Sequence, residues 1–377
     1  MLTTQQETLT EVGVVLGVDT HLDVHVTVAL DELGRHLDEI SIPANTRGYD
    51  TLVEWAEKFG PIICAGVEGT SSYGAGLARH LSRVGIKVME VERPKRHQGS
   101  SRRPGRNGKS DRLDAEAAAR AVLAGEVAGE PKSGDGRVEM IRALRTARRS
   151  AVKARSQATN QLKSLLVTAP DELRDRLRRL STKELVTAAI RFRPGALPET
   201  PEEATKFALR SVARRYRSLS EEITELDIQL KRLVAEVAPD LPTLLGVGTD
   251  HSATLLVVAG DNAERLGSEA SFANLCGVAP IEASSGKVVR HRLNRGGNRD
   301  ANRALHLICV VRMKYDQRTK HYVARRTAEG KSKREIIRCL KRYVAREIYR
   351  VLVSGGSPSP PTAPSPIESR PKVVTTI

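Results

Sequence analysis

Apolar and polar residues follow two kinds of pattern along this chain, strand-like near the N-terminus and helix-like beyond it. Residues 13–19 form a continuous apolar run, GVVLGVD, that ends in an acid, as is typical of a buried central strand. Residues 24–30 and 36–42 predict two further strands, and residues 31–34 between them have a composition typical of a hairpin turn. The chain is therefore predicted to begin with a three-stranded meander.

Helices and strands are predicted to alternate after the meander. The expected elements are a helix over 48–59, a strand over 61–67, a helix over 74–84, a strand over 86–91 and a helix that begins after Ser110 and ends before Gly125. Serine is a preferred N-cap residue and glycine often ends a helix, which sets the limits of the last element. The resulting order, βββαβαβα, resembles the RNase H-like nuclease fold.

Four carboxylates lie at the ends of strands or near the start of a helix in this order. Asp19 ends the first strand and Glu68 ends the fourth, while Asp111 and Asp114 are three residues apart and share one face of the last helix. Two-metal phosphodiester chemistry needs carboxylate oxygens that converge from several elements, so the four acids predict a divalent-metal site. Each acid alone also fits a turn or a helix-dipole role. Asp23 is a weaker alternative to Asp19.

The middle of the chain is predicted to be helical. Residues 125–136 are rich in Gly, Glu, Pro and Ser and mark a linker. A long helix over 137–168 combines an Ala-rich stripe with arginines on its other faces, which suits a solvated face or a nucleic-acid backbone. A second long helix has a heptad seam of Leu209, Val212, Tyr216, Leu219, Ile223, Leu226, Leu230, Leu233 and Val237. The seam fits an antiparallel hairpin with the first helix or a coiled coil with another protomer.

The C-terminal third is predicted to be mainly helical. Residues 244–248, LLGVG, precede a predicted helix over 252–258 and resemble a helix-hairpin-helix element, whose backbone N–H groups grip a phosphate. Further helices are predicted over 271–277, 301–315 and 331–353. Residues 354–377 are rich in Pro and Ser and are predicted to be disordered.

The charge of the chain favours a polyanionic partner. Its 377 residues have a formal net charge of +16 and a pI near 9.9. Much of the positive charge lies in two turn-rich loops, and clustered basic residues of this kind favour nucleic acid. The predicted nucleic-acid-binding residues are Arg102, Arg103, Arg106, Lys109, Lys287, Arg290, Arg292, Arg295 and Arg299.

The cysteines and the hydropathy pattern indicate the cellular compartment of the protein. Cys64, Cys276, Cys309 and Cys339 are scattered in apolar surroundings without the spacing of metal ligands, and we predict that they are reduced core thiols. The sequence has no apolar run of membrane-spanning length and no signal-peptide pattern. We therefore expect an intracellular protein.

Several short motifs together resemble a known family. They are Gly17-Val18-Asp19, Val67-Glu68-Gly69-Thr70, Lys109-Ser110-Asp111-Arg112-Leu113-Asp114-Ala115, Gly246-Val247-Gly248, Gly277-Val278-Ala279-Pro280, Ser284-Ser285-Gly286 and Arg295-Gly296-Gly297-Asn298. In order and spacing, over about residues 13–350, they look like the DEDD-type transposases of bacterial insertion sequences, specifically the insertion-sequence 110 family of bridge-RNA-guided recombinases. The last motif has one Gly more than the usual pattern.

The resemblance implies an architecture and a set of partners. It implies an α/β RNase H-like domain over 13–125, a helical coiled-coil region over 137–239 and a mainly α-helical transposase domain over 240–353. It implies that Mg²⁺ binds to Asp19, Glu68, Asp111 and Asp114. The implied partners are the DNA of the element ends and target, a noncoding guide RNA and further copies of the chain in a dimer or tetramer. The implied location is the bacterial cytoplasm, in association with the nucleoid.

The resemblance also implies a serine nucleophile. By its position directly before Gly286, this residue is Ser285, and Ser284 is the alternative. Serine is a weak nucleophile unless a base, a metal or a cationic field assists it, and the arginines that follow can supply such a field. From the residues alone, a flexible polar turn is the competing interpretation of this segment.

Three functional hypotheses follow from these features. The first is a transposase that excises and inserts its own element by strand exchange. The second is a hydrolytic Holliday-junction-type nuclease that uses only the four acids and gives Ser285 no role. The third is a non-catalytic nucleic-acid-binding scaffold, for which the four acids would be a coincidence.

Overall fold

The computed structural model describes residues 12–91, 110–282, 291–292, 294 and 296–353. The chain divides into two compact units. Unit 1 contains the described residues up to Glu139 together with Gly260–Arg265. Unit 2 contains Met140–Ala259 and the described residues from Leu266 onwards.

Unit 1 is an α/β domain with a five-stranded sheet. Its elements are β1 (Val14–Thr20), β2 (Val24–Asp31), β3 (His36–Pro43), α1 (Thr46–Ala56), a 3-10 turn (Glu57–Phe59), β4 (Ile62–Glu68), α2 (Ala75–Arg83), β5 (Val88–Val91) and α3 (Asp111–Leu123). The strand order is β3-β2-β1-β4-β5, with antiparallel pairing among β1, β2 and β3 and parallel pairing of β4 with β1 and β5. The predicted succession of strands and helices is confirmed.

The sheet is covered by helices on both faces. Val14, Leu16 and Val18 of β1 belong to the core beneath α1 and α2. Val15, the residue between the first two, belongs to a second core on the opposite face, where Ala115 and Ala119 of α3 pack. Successive strand residues point to opposite faces, so burial on both sides explains why β1 is continuously apolar rather than alternating.

Unit 2 is mostly helical. Its elements are α4 (Arg137–Val167), which begins in unit 1, α5 (Asp171–Leu177), α6 (Thr182–Ile190), α7 (Pro201–Val237), α8 (Thr249–Ala259), α9 (Glu269–Leu275), β6 (Ile281–Glu282), β7 (His291–Arg292), α10 (Arg299–Tyr315), α11 (Gln317–Ala328) and α12 (Lys333–Val353). A 3-10 turn lies at Leu241–Thr243, and another at Ala263–Leu266 falls mostly in the segment that belongs to unit 1. The prediction of a strand-containing domain followed by a mostly helical region is confirmed.

Helices α4 and α7 lie antiparallel within the chain. Arg148 near the start of α4 pairs with Asp227 near the end of α7. Gln161 near the end of α4 accepts a hydrogen bond from Arg215, closer to the start of α7. All nine residues of the predicted heptad seam are buried or half-buried. The antiparallel arrangement is one of the two that the seam allows.

Candidate functional site

The carboxyl ends of two parallel strands place Asp19 and Glu68 at the same edge of the sheet. Val18 of β1 lies opposite Val67 of β4, so the acid that follows each of them lies at the same level. Both acids are buried, with only 3% and 4% of their surfaces exposed. The hydroxyl of Thr20 donates a hydrogen bond of 3.0 Å to the main-chain carbonyl of Glu68 and ties the two strand ends together.

Helix α3 carries Asp111 to this edge because it packs very closely on β1. A Cβ atom on Gly17 would lie 2.1 Å from the carbonyl oxygen of Ala115 and 2.3 Å from the amide nitrogen of Ala119. The helix therefore rests directly on the backbone of the strand. Its N-terminus is fixed by Ser110, whose hydroxyl accepts a 3.3 Å hydrogen bond from the amide of Leu113.

The closest cluster in the site joins two of the predicted acids to a histidine. The Nε2 atom of His21 lies 3.2 Å from Oδ2 of Asp19 and 3.4 Å from Oδ2 of Asp111. One ligand atom from each of the three residues lies within 4.8 Å of the other two. The cluster therefore joins the end of β1, the turn that follows it and the first turn of α3.

The other two predicted acids lie outside this cluster. Glu68 is buried at the end of β4, and Asp114 is half-buried one turn further along α3. Within the residues that the structure describes, only Asp19, His21 and Asp111 form a group of metal-ligating atoms this close together. Asp23, the weaker alternative to Asp19, is exposed in the turn before β2.

A second histidine, His25, contacts the backbone of His21. His25 on β2 is fully buried, and its Nδ1 atom accepts a hydrogen bond of 3.4 Å from the backbone amide of His21. Its ring stacks on Tyr49 with the planes 2° apart. Burial lowers the pKa of His25, so its imidazole is neutral near pH 7 and remains an acceptor for that amide.

Sequence patterns did not predict His21. Asp19 and His21 are two residues apart at the end of a strand, and this spacing places both side chains on the same side of the chain. A histidine at that spacing from a strand-terminal acid is the signal that would have identified it.

The predicted serine motif and most of the basic loop residues lie outside the described residues. These are Arg102, Arg103, Arg106, Lys109, Ser284, Ser285, Lys287, Arg290 and Arg295. Two predicted nucleic-acid-binding residues are described: Arg292 in β7 and Arg299 at the start of α10, and both are exposed.

The described residues on either side of the serine motif are fixed by short contacts. A Cβ atom on Gly297 would lie 2.1 Å from the backbone nitrogen of Gly277, so the absence of a side chain at Gly297 permits direct backbone packing. The side-chain amide of Asn302 donates to the carbonyl of Gly277 at 2.9 Å. Buried Lys341 in turn donates to Oδ1 of Asn302 at 2.8 Å. Burial lowers the pKa of Lys341.

Most arginines near the middle of α4 make ion pairs within unit 2. Arg149 lies 2.5 Å from Asp300, and Arg145 lies 3.9 Å from the same carboxylate. Arg148 pairs with both Asp227 and Asp250, and the hydrogen bond to Asp227 raises the pKa of its guanidinium. Carboxylates thus neutralise much of this charge. The arrangement is more typical of ion pairs that fix helix packing than of an open phosphate site.

Two family models match separate parts of this chain. Residues 16–169 match the DEDD transposase model of the IS110 group. Residues 238–324 match a model described as the transposase IS116/IS110/IS902 family. The first match includes Asp19, His21 and Asp111, and the second includes Ser285.

A curated relative agrees with the family models. The insertion element IS110 uncharacterized 43.6 kDa protein of Streptomyces coelicolor is 30% identical over 148 residues. The matched part is 38% of this chain and 36% of the relative, so the chain spans about a third of that protein's length. Among the described residues, no helix is both long and apolar enough to cross a membrane. Both family models and this relative lead to one conclusion: the chain belongs to the IS110 family of transposases.

Proposed function

We propose that this protein is a transposase that excises and inserts an insertion element by metal-dependent cleavage and rejoining of DNA. The observation that carries the proposal is the convergence of Asp19 and Asp111 at one edge of the sheet of unit 1, within the part of the chain that matches the DEDD transposase model. The family matches favour a transposase over a hydrolytic Holliday-junction-type nuclease.

The residues at the sheet edge suit a divalent cation. The Oδ2 atom of Asp19 is buried and, among the described residues, has no hydrogen-bond partner. A buried carboxylate oxygen without a donor is costly unless a cation compensates its charge. In the proposal, Asp19 and Asp111 hold the cation, and Glu68 and Asp114 complete the acidic set. A bound cation of this type would activate the nucleophile and stabilise the charge that develops on the phosphate.

We assign the nucleophile to Ser285, with Ser284 as the alternative. The Oγ atom of the serine would lose its proton and bond to a phosphorus atom of the DNA backbone. The P–O bond to one deoxyribose would break, and the released oxygen would take up a proton to become a hydroxyl. The phosphoserine ester keeps the bond energy, so attack by a second DNA hydroxyl can rejoin the strands. We propose that Arg292 and Arg299, which are exposed and follow this segment in sequence, contact DNA phosphates.

The remaining features of the proposal follow the family resemblance. The strand order β3-β2-β1-β4-β5, with α3 on the face opposite α1 and α2, supports an RNase H-like assignment for unit 1. The turn before α8 supports a helix-hairpin-helix contact to DNA. A guide RNA would account for the large positive charge. We propose a dimer or tetramer as the assembly, with the antiparallel helices α4 and α7 of each chain as its coiled-coil region.

The proposal is tested by trapping the covalent intermediate. Labelled DNA from the element end is incubated with the full chain, a divalent cation and RNA from a co-expressed flanking segment, and is then resolved on a denaturing gel. We expect a slowly migrating adduct that protease removes, present with the wild type and with Ser284→Ala but absent with Ser285→Ala. Asp19→Asn should abolish the adduct as well.

The variants separate the hypotheses. Clean cleavage by both the wild type and Ser285→Ala without an adduct would mean that the acids hydrolyse DNA directly. Recombination that survives Asp19→Asn would exclude the metal site at the sheet edge. An adduct that Ser284→Ala alone abolishes would move the nucleophile by one residue. His36→Gln, a substitution on β3 outside the cluster, is the matched control and should behave as the wild type does.

A further inference from the structure

We propose that His21 is a third metal ligand beside Asp19 and Asp111, and that it gives this site a preference for a divalent transition-metal ion over Mg²⁺. The inference rests on the proposed function because it concerns the same metal site. It goes beyond the acidic set because a nitrogen ligand changes which cations the site selects.

The distances around His21 suit a shared cation. Its Nε2 atom lies 3.2 Å from Asp19 and 3.4 Å from Asp111, and all three ligand atoms lie within 4.8 Å of one another. Ligands about 2.1 Å from a cation lie roughly 3 Å apart when adjacent and about 4.2 Å apart when opposite in an octahedron. The two separations from Nε2 match adjacent ligand positions. The third separation, between the Asp19 and Asp111 oxygens, is at most 4.8 Å, which is compatible with adjacent or opposite positions.

The hydrogen bonding of these atoms suits a bound cation. Both Nε2 of His21 and Oδ2 of Asp19 are buried atoms without a hydrogen-bond partner among the described residues. Their 3.2 Å contact therefore lacks hydrogen-bond geometry even though the distance is short. The Asp19 side chain is only 5% exposed, so water has little access to its unpaired oxygen. A cation between the two atoms would satisfy both.

The surroundings of His21 hold it in position before a cation binds. Its backbone amide donates to the buried imidazole of His25, which is itself stacked on Tyr49. Part of the His21 side chain is exposed, at 44%, and the Asp111 side chain is 52% exposed, so the cluster lies close to solvent. A backbone hydrogen bond at the histidine and solvent beside the cluster both suit a site that binds and exchanges a cation.

The chemistry of imidazole determines the expected selectivity. Mg²⁺ strongly prefers oxygen ligands and retains bound waters, whereas an imidazole nitrogen suits transition-metal ions. A site with two carboxylates and one imidazole should therefore bind Mn²⁺ or Co²⁺ more tightly than Mg²⁺. The competing interpretation is that a protonated His21 only balances the two carboxylates. In that case a cation must displace the imidazolium, and removal of His21 would strengthen cation binding.

A direct measurement of metal binding distinguishes these two interpretations, because they predict opposite changes in Mn²⁺ affinity when His21 is replaced. The full chain is titrated with Mn²⁺ while the electron paramagnetic resonance signal of free Mn²⁺ is recorded, and Mg²⁺ is then added as a competitor. We expect His21→Gln to weaken Mn²⁺ binding at least about tenfold and to change Mg²⁺ binding much less, since even outer-ligand losses cost 10–100-fold in metal affinity. Pulsed spectra of Mn²⁺ bound to the wild type should show coupling to a ¹⁴N nucleus that His21→Gln removes.

Two further variants complete the test. His21→Glu replaces the nitrogen by an oxygen at similar reach and should restore cation binding with a shift of preference towards Mg²⁺. His36→Gln removes another histidine of unit 1, whose Nε2 lies 3.8 Å from Glu39, and should leave Mn²⁺ affinity unchanged.

The outcomes separate this inference from the proposed function. Equal or tighter Mn²⁺ binding in His21→Gln, or the absence of ¹⁴N coupling in the wild type, would overturn the assignment of His21. If Asp19→Asn still abolished binding in that case, the acidic metal site would stand without the histidine. Two results would make both the inference and the proposed metal site fail. One is a wild type that binds neither Mn²⁺ nor Mg²⁺, and the other is cation binding that Asp19→Asn does not weaken.

Discussion

The buried cysteines of unit 2 illustrate how surroundings suppress a reactive group. Cys276 and Cys309 are fully buried, and burial raises the pKa of each thiol to about 12. Cys64 in unit 1 is also buried, with a raised pKa for the same reason. Cys339 on α12 differs because it is only half-buried. The prediction of core thiols is therefore confirmed for three positions, and the fourth is partly accessible.

This difference predicts selective thiol labelling. At pH 8 a thiol with a pKa of about 12 is ionised in about one molecule in ten thousand, and the thiolate is the reactive form. We expect iodoacetamide to modify Cys339 rapidly in the folded protein and to modify the other three cysteines only after denaturation. Mass spectrometry of the intact chain counts the labels. Cys339→Ser should remove the rapid label, and rapid labelling of two or more sites would contradict the burial of Cys64, Cys276 and Cys309.

At the scale of residues, strand ends were predictable and their neighbours were not. Asp19 and Glu68 could be identified because an apolar run that ends in an acid is a local pattern, and Asp111 because Ser110 marks a helix start. The role proposed for His21 depends on where α3 lies, since its nitrogen must lie close to Asp111 as well as to Asp19. That juxtaposition of residues 90 positions apart is not visible in a local pattern.

Among the elements, α3 is the one whose placement decides the site. Gly17 on β1 and Gly66 on β4 both face this helix, and a Cβ on Gly66 would lie 2.9 Å from the carbonyl of Ala118 and 2.6 Å from a methyl of Val122. The small residues of strand and helix allow α3 to rest on the sheet with its first turn beside the end of β1. Larger residues would move Asp111 away from Asp19.

We therefore predict that Gly17→Ala damages both stability and metal binding. The added methyl would lie 2.1 Å from a backbone atom of α3, which cannot give way as a side-chain end can. Forced core expansion of this kind costs about 1–3 kcal/mol. The expected results are a lower midpoint of thermal unfolding and weaker Mn²⁺ binding.

A matched glycine substitution controls for this prediction. Gly195 lies in the loop between α6 and α7, where a Cβ would meet nothing closer than 3.6 Å. Gly195→Ala should change the free energy of unfolding by less than about 1 kcal/mol and leave Mn²⁺ binding intact. If Gly17→Ala behaved in the same way, the close packing of α3 on β1 would not be what positions Asp111.

Elements with strong apolar periodicity were the predictable ones. The heptad seam of α7 and the buried strands β1 and β4 follow from patterns of hydrophobic residues that recur at helix or strand spacing. Helix α11 was missed because it has little apolar surface. Thr319 is its one buried residue in the described structure, and its sequence, QRTKHYVARRTA, is strongly polar. Its start is instead marked by Asp316, whose side chain accepts a hydrogen bond from the amide of Thr319.

At the scale of the whole molecule, unit 1 includes residues 260–265, a segment that is distant in sequence from the rest of the unit. Asp261 accepts a 2.7 Å hydrogen bond from the amide of Val138 and so caps the start of α4. Asn262 accepts from the amide of Ser133 and donates to the carbonyl of Pro131. Patterns along the chain assign consecutive residues to a domain, so they do not reveal that residues 260–265 belong with the α/β unit. The polar Asp-Asn pair alone indicates only a turn.

The net charge of the whole molecule leads to a prediction about DNA binding. A chain with a formal charge of +16 should bind DNA largely by releasing counterions, so affinity should fall steeply as salt increases. Exposed Arg292 and Arg299 follow the serine motif in sequence and are the described residues that we expect to contact phosphates. Each lost phosphate contact reduces the slope of log affinity against log salt by about 0.9. We expect the double variant Arg292→Ala/Arg299→Ala to reduce the slope by about 1.8.

Binding of labelled element-end DNA at several salt concentrations measures this slope. The matched control is Arg217→Ala/Arg232→Ala on α7, which removes the same charge from exposed arginines that already pair with Glu221 and Glu236. Because those arginines serve local ion pairs, the control should keep the wild-type slope. A similar decrease in both double variants would mean that DNA responds to total charge alone. A decrease confined to Arg292 and Arg299 would locate a DNA contact close in sequence to the serine motif, as the proposed strand exchange requires.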